Sequence, residues 1–338
     1  MRKYLDANIV LKTKDINKND WLELRRSGIG GSDAASVLGF SPYRSSMSVY
    51  LEKINHNNKL NNLKENIVYK NALGKDLDEY IKENLNEEVS YKMELGNKLK
   101  DFVASEFTLN TGKKVRSINA VLRNDKYPFA IANIDKAVIG EKAFLECKVT
   151  NSYLKKSWQK EVPIHYKIQM NHYMAVTGAT HCYVAVLIGN EELIIHKIER
   201  DEEYISEIMS LEKMFWENCI LGDDIPMPDG SNDYSNFLNS FYKESKEESL
   251  ILFEQEKLLK RYDEISEISK EIDTERKTIE QYIKLQMKEY ETCYIGDRKI
   301  TWKNQSRNTV DTKKLKIDNP KLIENYIKTT NSRVFKIH

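Results

Sequence analysis

The sequence predicts an α/β protein in which a central mixed sheet is flanked by helices, followed by a long helical, coiled-coil-like extension. Three observations carry that reading. Strand-like runs lie on both sides of Gly140-Glu141, where apolar residues alternate with others. Segments with helical and strand periods interleave through the first 225 residues. Beyond the prolines at 226 and 228, an apolar stripe spaced by three or four residues runs through a strongly charged segment. The division expected is a core over 1–225, a helical arm over 226–292 and a small hairpin–helix module over 293–338.

Taken in order, residues 1–19 read as a strand and a linker. A short helix around Trp21 and Arg25 stops at Gly28, Gly30 and Gly31, which permit a tight turn. Ser32 reads as the N-cap of a helix over 33–38, in a glycine-rich context suited to anions. A helix over 42–54 follows, with Met47, Tyr50, Leu51 and Ile54 inward, and then an Asn/Lys-rich loop and a helix over 71–85. The next helix, over 91–109, stops at Gly112 and turns Leu99, Phe102, Val103 and Phe107 to the core. One strand is expected over 115–122.

The central hairpin reads FAIANIDKAVIGEKAFLECKVTN. A two-residue loop at Gly140-Glu141 sets Asp135 across from Glu146. Leu145, Cys147 and Val149 then face one side, Glu146 and Lys148 the other. Two carboxylates and an ammonium on one patch of sheet favour a divalent cation, and Mg²⁺ takes carboxylate oxygens while leaving positions open for water and phosphate. Glu-x-Lys recurs at Glu244 and Glu275, but in surroundings that read as solvated helix.

After the hairpin, Pro163 opens a helix that ends at Gly178 and carries Gln169 on one face with Tyr166 and Tyr173. His165 and His172 are too far apart to chelate one metal and read as surface or DNA-facing. A second hairpin turns at Gly189-Asn190, a helix spans 201–220, and the long helix spans 242–290. A last hairpin and a helix over 322–328 close the chain.

Composition narrows the classes of function. Charged residues are 31% of the 338 and balance to +1, so binding to nucleic acid rests on local patches such as Lys113-Lys114-x-Arg116 or Lys155, Lys156 and Lys160. The four cysteines form no C-x-x-C pair, against a zinc ribbon or an iron–sulfur cluster. No stretch is long and apolar enough to be a membrane span, so a soluble protein of a reducing compartment is expected.

Asp-x₁₀-Glu-x-Lys on a hairpin resembles the core of the restriction-endonuclease-like, PD-(D/E)xK nucleases. Trp21-x₃-Arg25, Gly30-Gly31-Ser32-Asp33, a helix led by Gly96, Ile134-Asp135, Leu145-Glu146-Cys147-Lys148 and Tyr166-x₂-Gln169 occur in order. Over about residues 20–220 this series resembles the YqaJ-type viral recombinase, or lambda exonuclease, family. The resemblance implies a phage or prophage protein of the bacterial cytoplasm. It implies a Mg²⁺- or Mn²⁺-dependent 5′→3′ exonuclease on double-stranded DNA ends, with two-metal-type phosphodiester hydrolysis. A homotrimer and a single-strand annealing recombinase as partner are also implied.

By position, Asp135, Glu146 and the Cys147 carbonyl would hold metal, and Lys148 would orient and deprotonate water beside Gln169. Arg25 and Ser32 would form a 5′-phosphate pocket, with Trp21 near the DNA end. One position departs: Lys100 stands where the family pattern has a metal-binding Glu. An ammonium there can pair with Asp135 or Glu146 and stand partly in place of the cation. Two further readings therefore accompany the nuclease. One is a DNA-end-binding or scaffold protein with an impaired site, and the other a coiled-coil assembly protein, which accounts for the tail alone.

Overall fold

The computed structural model describes residues 2–13, 16–54, 91–242, 245, 247–327 and 333–337. The helix expected over 71–85 lies outside them. The chain divides into two units, Met1–Glu244 and Ser245–His338.

In the first unit, strands β1 (Lys3–Tyr4) and β2 (Ala7–Lys12) precede helix α1 (Lys18–Arg26). Asn17 caps α1 by accepting the Asp20 N–H at 2.9 Å. Helices α2 (Gly31–Val37) and α3 (Ser46–Ile54) follow. The N-cap of α2 is Gly30 rather than Ser32, because Asp33 reaches back and accepts the Gly30 N–H at 3.1 Å. Ser32 is left exposed in the first turn.

Helix α4 (Tyr91–Thr111) ends at Gly112, whose φ of 71° suits a residue without Cβ. Phe102, expected inward, is 48% exposed, while Val103, Ala104 and Phe107 are buried. The single strand expected over 115–122 is two, β3 (Val115–Ser117) and β4 (Ala120–Asn124). Asn119 lies between them at φ 47°, a left-handed turn that sends the two strands into different sheets.

The chain changes sheet a second time after β5 (Tyr127–Ala132). Residues 133–135 cross over, and β6 (Lys136–Val138) pairs antiparallel with β7 (Ala143–Thr150). Lys136 is opposite Leu145 and Ala137 opposite Phe144, the register expected of the two-residue loop, with Gly140 at φ 87°. Asp135 thus sits at the crossover, one residue before the paired segment.

Helices α5 (Lys155–Lys160) and α6 (Ile164–Thr177) lead to β8 (His181–Ile188), parallel to β7, and β9 (Glu192–Glu199), antiparallel to β8. The result is a mixed sheet in the order β3-β6-β7-β8-β9 and a four-stranded antiparallel sheet, β1-β2-β4-β5.

Alternation along β7 divides the core. Phe144 joins Val184, Val186 and the α6 residues Ile168 and Met174, whereas Leu145 and Cys147 join Val103 and Phe107 of α4. Each such fully buried side chain contributes about 1.5–3 kcal/mol relative to exposure. Glu146 shares the Phe144 side and so points toward α6.

Helix α7 (Glu202–Met214) continues as a π-helical stretch, Phe215–Leu221. The unit runs past residue 225 to include α8 (Asn232–Phe241), because Tyr234, Phe237 and Phe241 are buried. Asp233 Oδ2 also accepts from the Ser45 N–H at 2.7 Å and from the Ser48 hydroxyl at 2.6 Å. The segment at Pro226 is a bend inside the unit, where its carbonyl accepts from the Tyr234 hydroxyl.

In the second unit, helix α9 (Glu256–Met287) is shorter than the helix expected over 242–290. Leu258, Ile265, Ile272 and Ile279, seven residues apart, are each more than half exposed. A hairpin of β10 (Thr292–Ile295) and β11 (Arg298–Thr301), with helices α10 (Thr312–Asp318) and α11 (Pro320–Glu324), completes it.

Candidate active site

The crossover at Asn133, strand β7 and helices α1, α2, α4 and α6 meet around a cleft of about 220 Å³. Trp21, Arg25 and Ser32 line it together with Lys100, Glu146, Lys148 and Gln169, so residues far apart in sequence share one wall. Gly31 makes this approach possible: a Cβ there would lie 2.3 Å from the Tyr173 ring. Ile29 bridges to Ala130 beside β5 and fixes the glycine turn to the sheet.

Four charges surround the hairpin site. Asp135 Oδ1 accepts from Lys100 Nζ at 2.7 Å, and its Oδ2 accepts the Cys147 N–H at 2.9 Å. Glu146 Oε1 accepts from Lys148 Nζ at 2.9 Å and from Gln169 Nε2 at 3.4 Å. Lys148 also donates to Gln169 Oε1 at 3.2 Å and lies 4.7 Å from the centre of the Tyr166 ring. Gln169 donates in turn to the Tyr173 hydroxyl at 3.2 Å. Glu146 Oε2 is buried without a hydrogen-bond partner.

Burial raises the Glu146 pKa, the Asp135 charge adds to this, and Lys148 and Lys100 oppose it. For Lys100, burial works downward, but Asp135 and Glu146 outweigh it and the net shift is upward. A bare buried carboxylate oxygen is costly unless something positive reaches it.

A second charge cluster adjoins the cleft through Arg25. Asp33, 1% exposed, is 2.7 Å from Lys53 Nζ, 3.5 Å from Arg44 and 3.7 Å from Arg25. Glu52 is 2.7 Å from Arg44 and 3.2 Å from Arg25. Burial would raise the Asp33 pKa, but Lys53, Arg25 and Arg44 hold it far below the usual carboxylate range. Three cations face two anions, leaving positive charge next to Ser32. Arg44, Glu52 and Lys53 had no place in the sequence-based site. The available signal was a lysine three residues after Tyr50, on the apolar face of α3.

Of the two histidines read as surface or DNA-facing, His172 is not a surface group. His172 is fully buried, with Nδ1 2.8 Å from Glu212 and Nε2 2.9 Å from the Ile131 carbonyl. It ties α6 to β5 and α7. His165 is half-buried against the Tyr166 and Tyr43 rings. The basic patches are partly neutralised, Lys113 by Glu141 and Lys155 by Glu191 and Glu192. Among the described residues no group of three or more His, Cys, Asp or Glu is placed to hold a metal, and no helix is long and apolar enough to cross a membrane.

Fold and site together define a mixed α/β protein with a carboxylate–lysine centre at a hairpin crossover. The chain belongs to the YqaJ-like viral recombinase family, whose domain model matches residues 20–180. It is 34% identical over 336 residues to the uncharacterized protein YqaJ of Bacillus subtilis (strain 168), covering 98% of this chain and 97% of that one. Among solved structures, the alkaline exonuclease LHK-Exo of Laribacter hongkongensis is similar over 60% of this chain and 92% of its own, at 17% identity and a TM-score of 0.43. A phage-related exonuclease from Haemophilus somnus 129PT is similar over 60% and 98%, at 12% identity and a TM-score of 0.35.

Proposed function

We propose that the chain is a Mg²⁺-dependent deoxyribonuclease that digests duplex DNA from its ends, 5′→3′, on a restriction-endonuclease-like core. The observation that carries this reading is the pairing of Asp135 and Glu146 beside Lys148, with one Glu146 oxygen buried and bare. Membership of a viral recombinase family supports DNA ends as the substrate. Asp135, Glu146 and the Cys147 carbonyl would hold Mg²⁺ or Mn²⁺, and the bare Glu146 Oε2 fits a hard cation. When bound, the ion would acidify water and neutralise charge on the transferring phosphate.

The protein's own groups do the remaining work. Gln169 and the Tyr166 ring fix Lys148, whose Nζ orients the attacking water and, when unprotonated, takes its proton. Arg25 and Ser32 grip the terminal 5′-phosphate, and Trp21 packs near the DNA end. The seven-residue apolar spacing on α9 supports a coiled-coil role for the tail. A trimer and an annealing-protein partner in the infected cell belong to the same reading and rest on the family.

The test is a digest of linear duplex DNA with and without Mg²⁺, beside a covalently closed circle. Digestion of the linear form alone, needing Mg²⁺ and lost in Glu146→Ala, is expected. A Glu146→Ala protein as active as the parent would overturn the assignment.

A further inference from the structure

Asp135 and Glu146 balance Lys100 and Lys148 in charge, but the two pairs are built differently. Lys148 shares Glu146 Oε1 with Gln169 and leaves Oε2 bare. At Asp135, Lys100 holds Oδ1 and the Cys147 N–H holds Oδ2, so neither oxygen is without a partner. Lys100 lines the cleft, whereas Asp135 contributes no surface to it. Among the described residues, no further carboxylate, His or Cys completes a three-ligand group. Glu146 Oε2 is without a hydrogen-bond partner, and Asp135 Oδ1 already faces a positive charge.

We propose that Lys100 is the resident second cation of this site, so that Glu146, Asp135 and the Cys147 carbonyl share a single divalent ion. This rests on the metal-dependent nuclease reading and departs from two-ion hydrolysis. A second ion would have to break the 2.7 Å charged hydrogen bond from Lys100 to Asp135, or sit against the ammonium as a like charge. Among the described residues no further carboxylate, His or Cys stands ready to complete a second ion's ligand set and offset that cost. The ammonium meanwhile remains in the cleft as a fixed positive charge where phosphate oxygens pass, and no ion need be recruited to supply it.

The prediction is read by counting Mn²⁺ bound to the full chain with electron paramagnetic resonance, with thermal melts to establish folding. The parent binds one ion per chain, and Glu146→Gln loses it. Lys100→Gln still binds one ion, with affinity raised roughly tenfold on removal of a neighbouring like charge. Lys100→Glu, which adds a carboxylate and removes the ammonium, binds two. Two ions in the parent, a single ion in folded Lys100→Glu, or unchanged affinity in Lys100→Gln overturns the proposal. If Lys100→Glu does not fold, the Lys100→Gln affinity decides alone. A parent that binds no ion, or one that Glu146→Gln retains, overturns the nuclease-site reading beneath it.

Discussion

The two charge clusters of the cleft are built from the same residue types and solve opposite problems. Around Asp33 and Glu52 three cations converge on two carboxylates, and Lys53 is wholly buried between Asp33 and the Arg25 carbonyl. Around Asp135 and Glu146 two lysines meet two carboxylates, and Lys100 keeps about a third of its side chain exposed. Both clusters hold buried carboxylate oxygens without a hydrogen-bond partner, but Asp33 Oδ1 and Glu52 Oε1 lie 3.2–3.7 Å from arginine nitrogens. The first cluster carries three cations to two carboxylates and so one net positive charge. The second is balanced, with two cations to two carboxylates. Burial alone does not distinguish them; the count of cations against carboxylates does.

Glu146→Ala separates the clusters most sharply. It is expected to lower nuclease activity by about 10³-fold or more on every DNA end, because it removes the electrostatic centre of the reaction. Asp135→Ala and Lys148→Ala are expected to do the same, with thermal melts near those of the parent. Activity retained in any of the three would merge the two clusters into one structural network.

Lys53→Met tests the other side. Removing the buried ammonium leaves Asp33 to Arg25 and Arg44 alone, at an expected cost of about 3 kcal/mol in denaturant melts. Lys100→Met, whose ammonium is partly solvated, is expected to change stability by under about 1 kcal/mol. Equal losses would mean that both lysines are structural.

Arg25→Ala is expected to slow digestion of 5′-phosphorylated ends by roughly 10- to 100-fold, the size of one or two charged hydrogen bonds. Ends bearing a 5′-hydroxyl are expected to change much less. An equal loss on both ends would remove phosphate recognition from this cluster.

The smallest effect expected comes from the pair that supports both clusters from behind. Burial would lower the His172 pKa, but Glu212 and the Ile131 carbonyl hold it above its ordinary 6.5. A raised histidine contributes stability fully below its unfolded value and loses it as pH rises through the folded one. Burial likewise raises Glu212, so the folded pair keeps a proton that the unfolded chain releases. Stability is expected to fall as pH rises from 6.5 through the folded value, and less so in His172→Gln. A parent and variant with parallel pH profiles would contradict this.

What the sequence made legible follows from local rules. The hairpin register came from a two-residue loop and strand alternation, and the Asp135, Glu146 and Lys148 group came with it. The breaks at Asn119 and at 133–135 were not legible, because alternation reveals a strand but not which sheet it joins. Lys53, Arg44 and Glu52 were hidden for a related reason. A charged residue on a helix ordinarily reads as solvated, and the packing of α3 against α2 and its other neighbours covers Lys53 and Glu52, with Arg44 just ahead of the helix. His172 was misjudged because its partners, Glu212 and the Ile131 carbonyl, lie 40 and 41 residues away.

The proposed cation-binding point of the cleft is the bare oxygen of Glu146. The most direct test is anomalous scattering from a crystal soaked in Mn²⁺. A peak about 2.0–2.3 Å from Glu146 Oε2, absent in Glu146→Gln, is the predicted result. A peak at Asp33 or Glu52 instead, or an empty Glu146 site in a soaked crystal that binds Mn²⁺ elsewhere, would contradict the account.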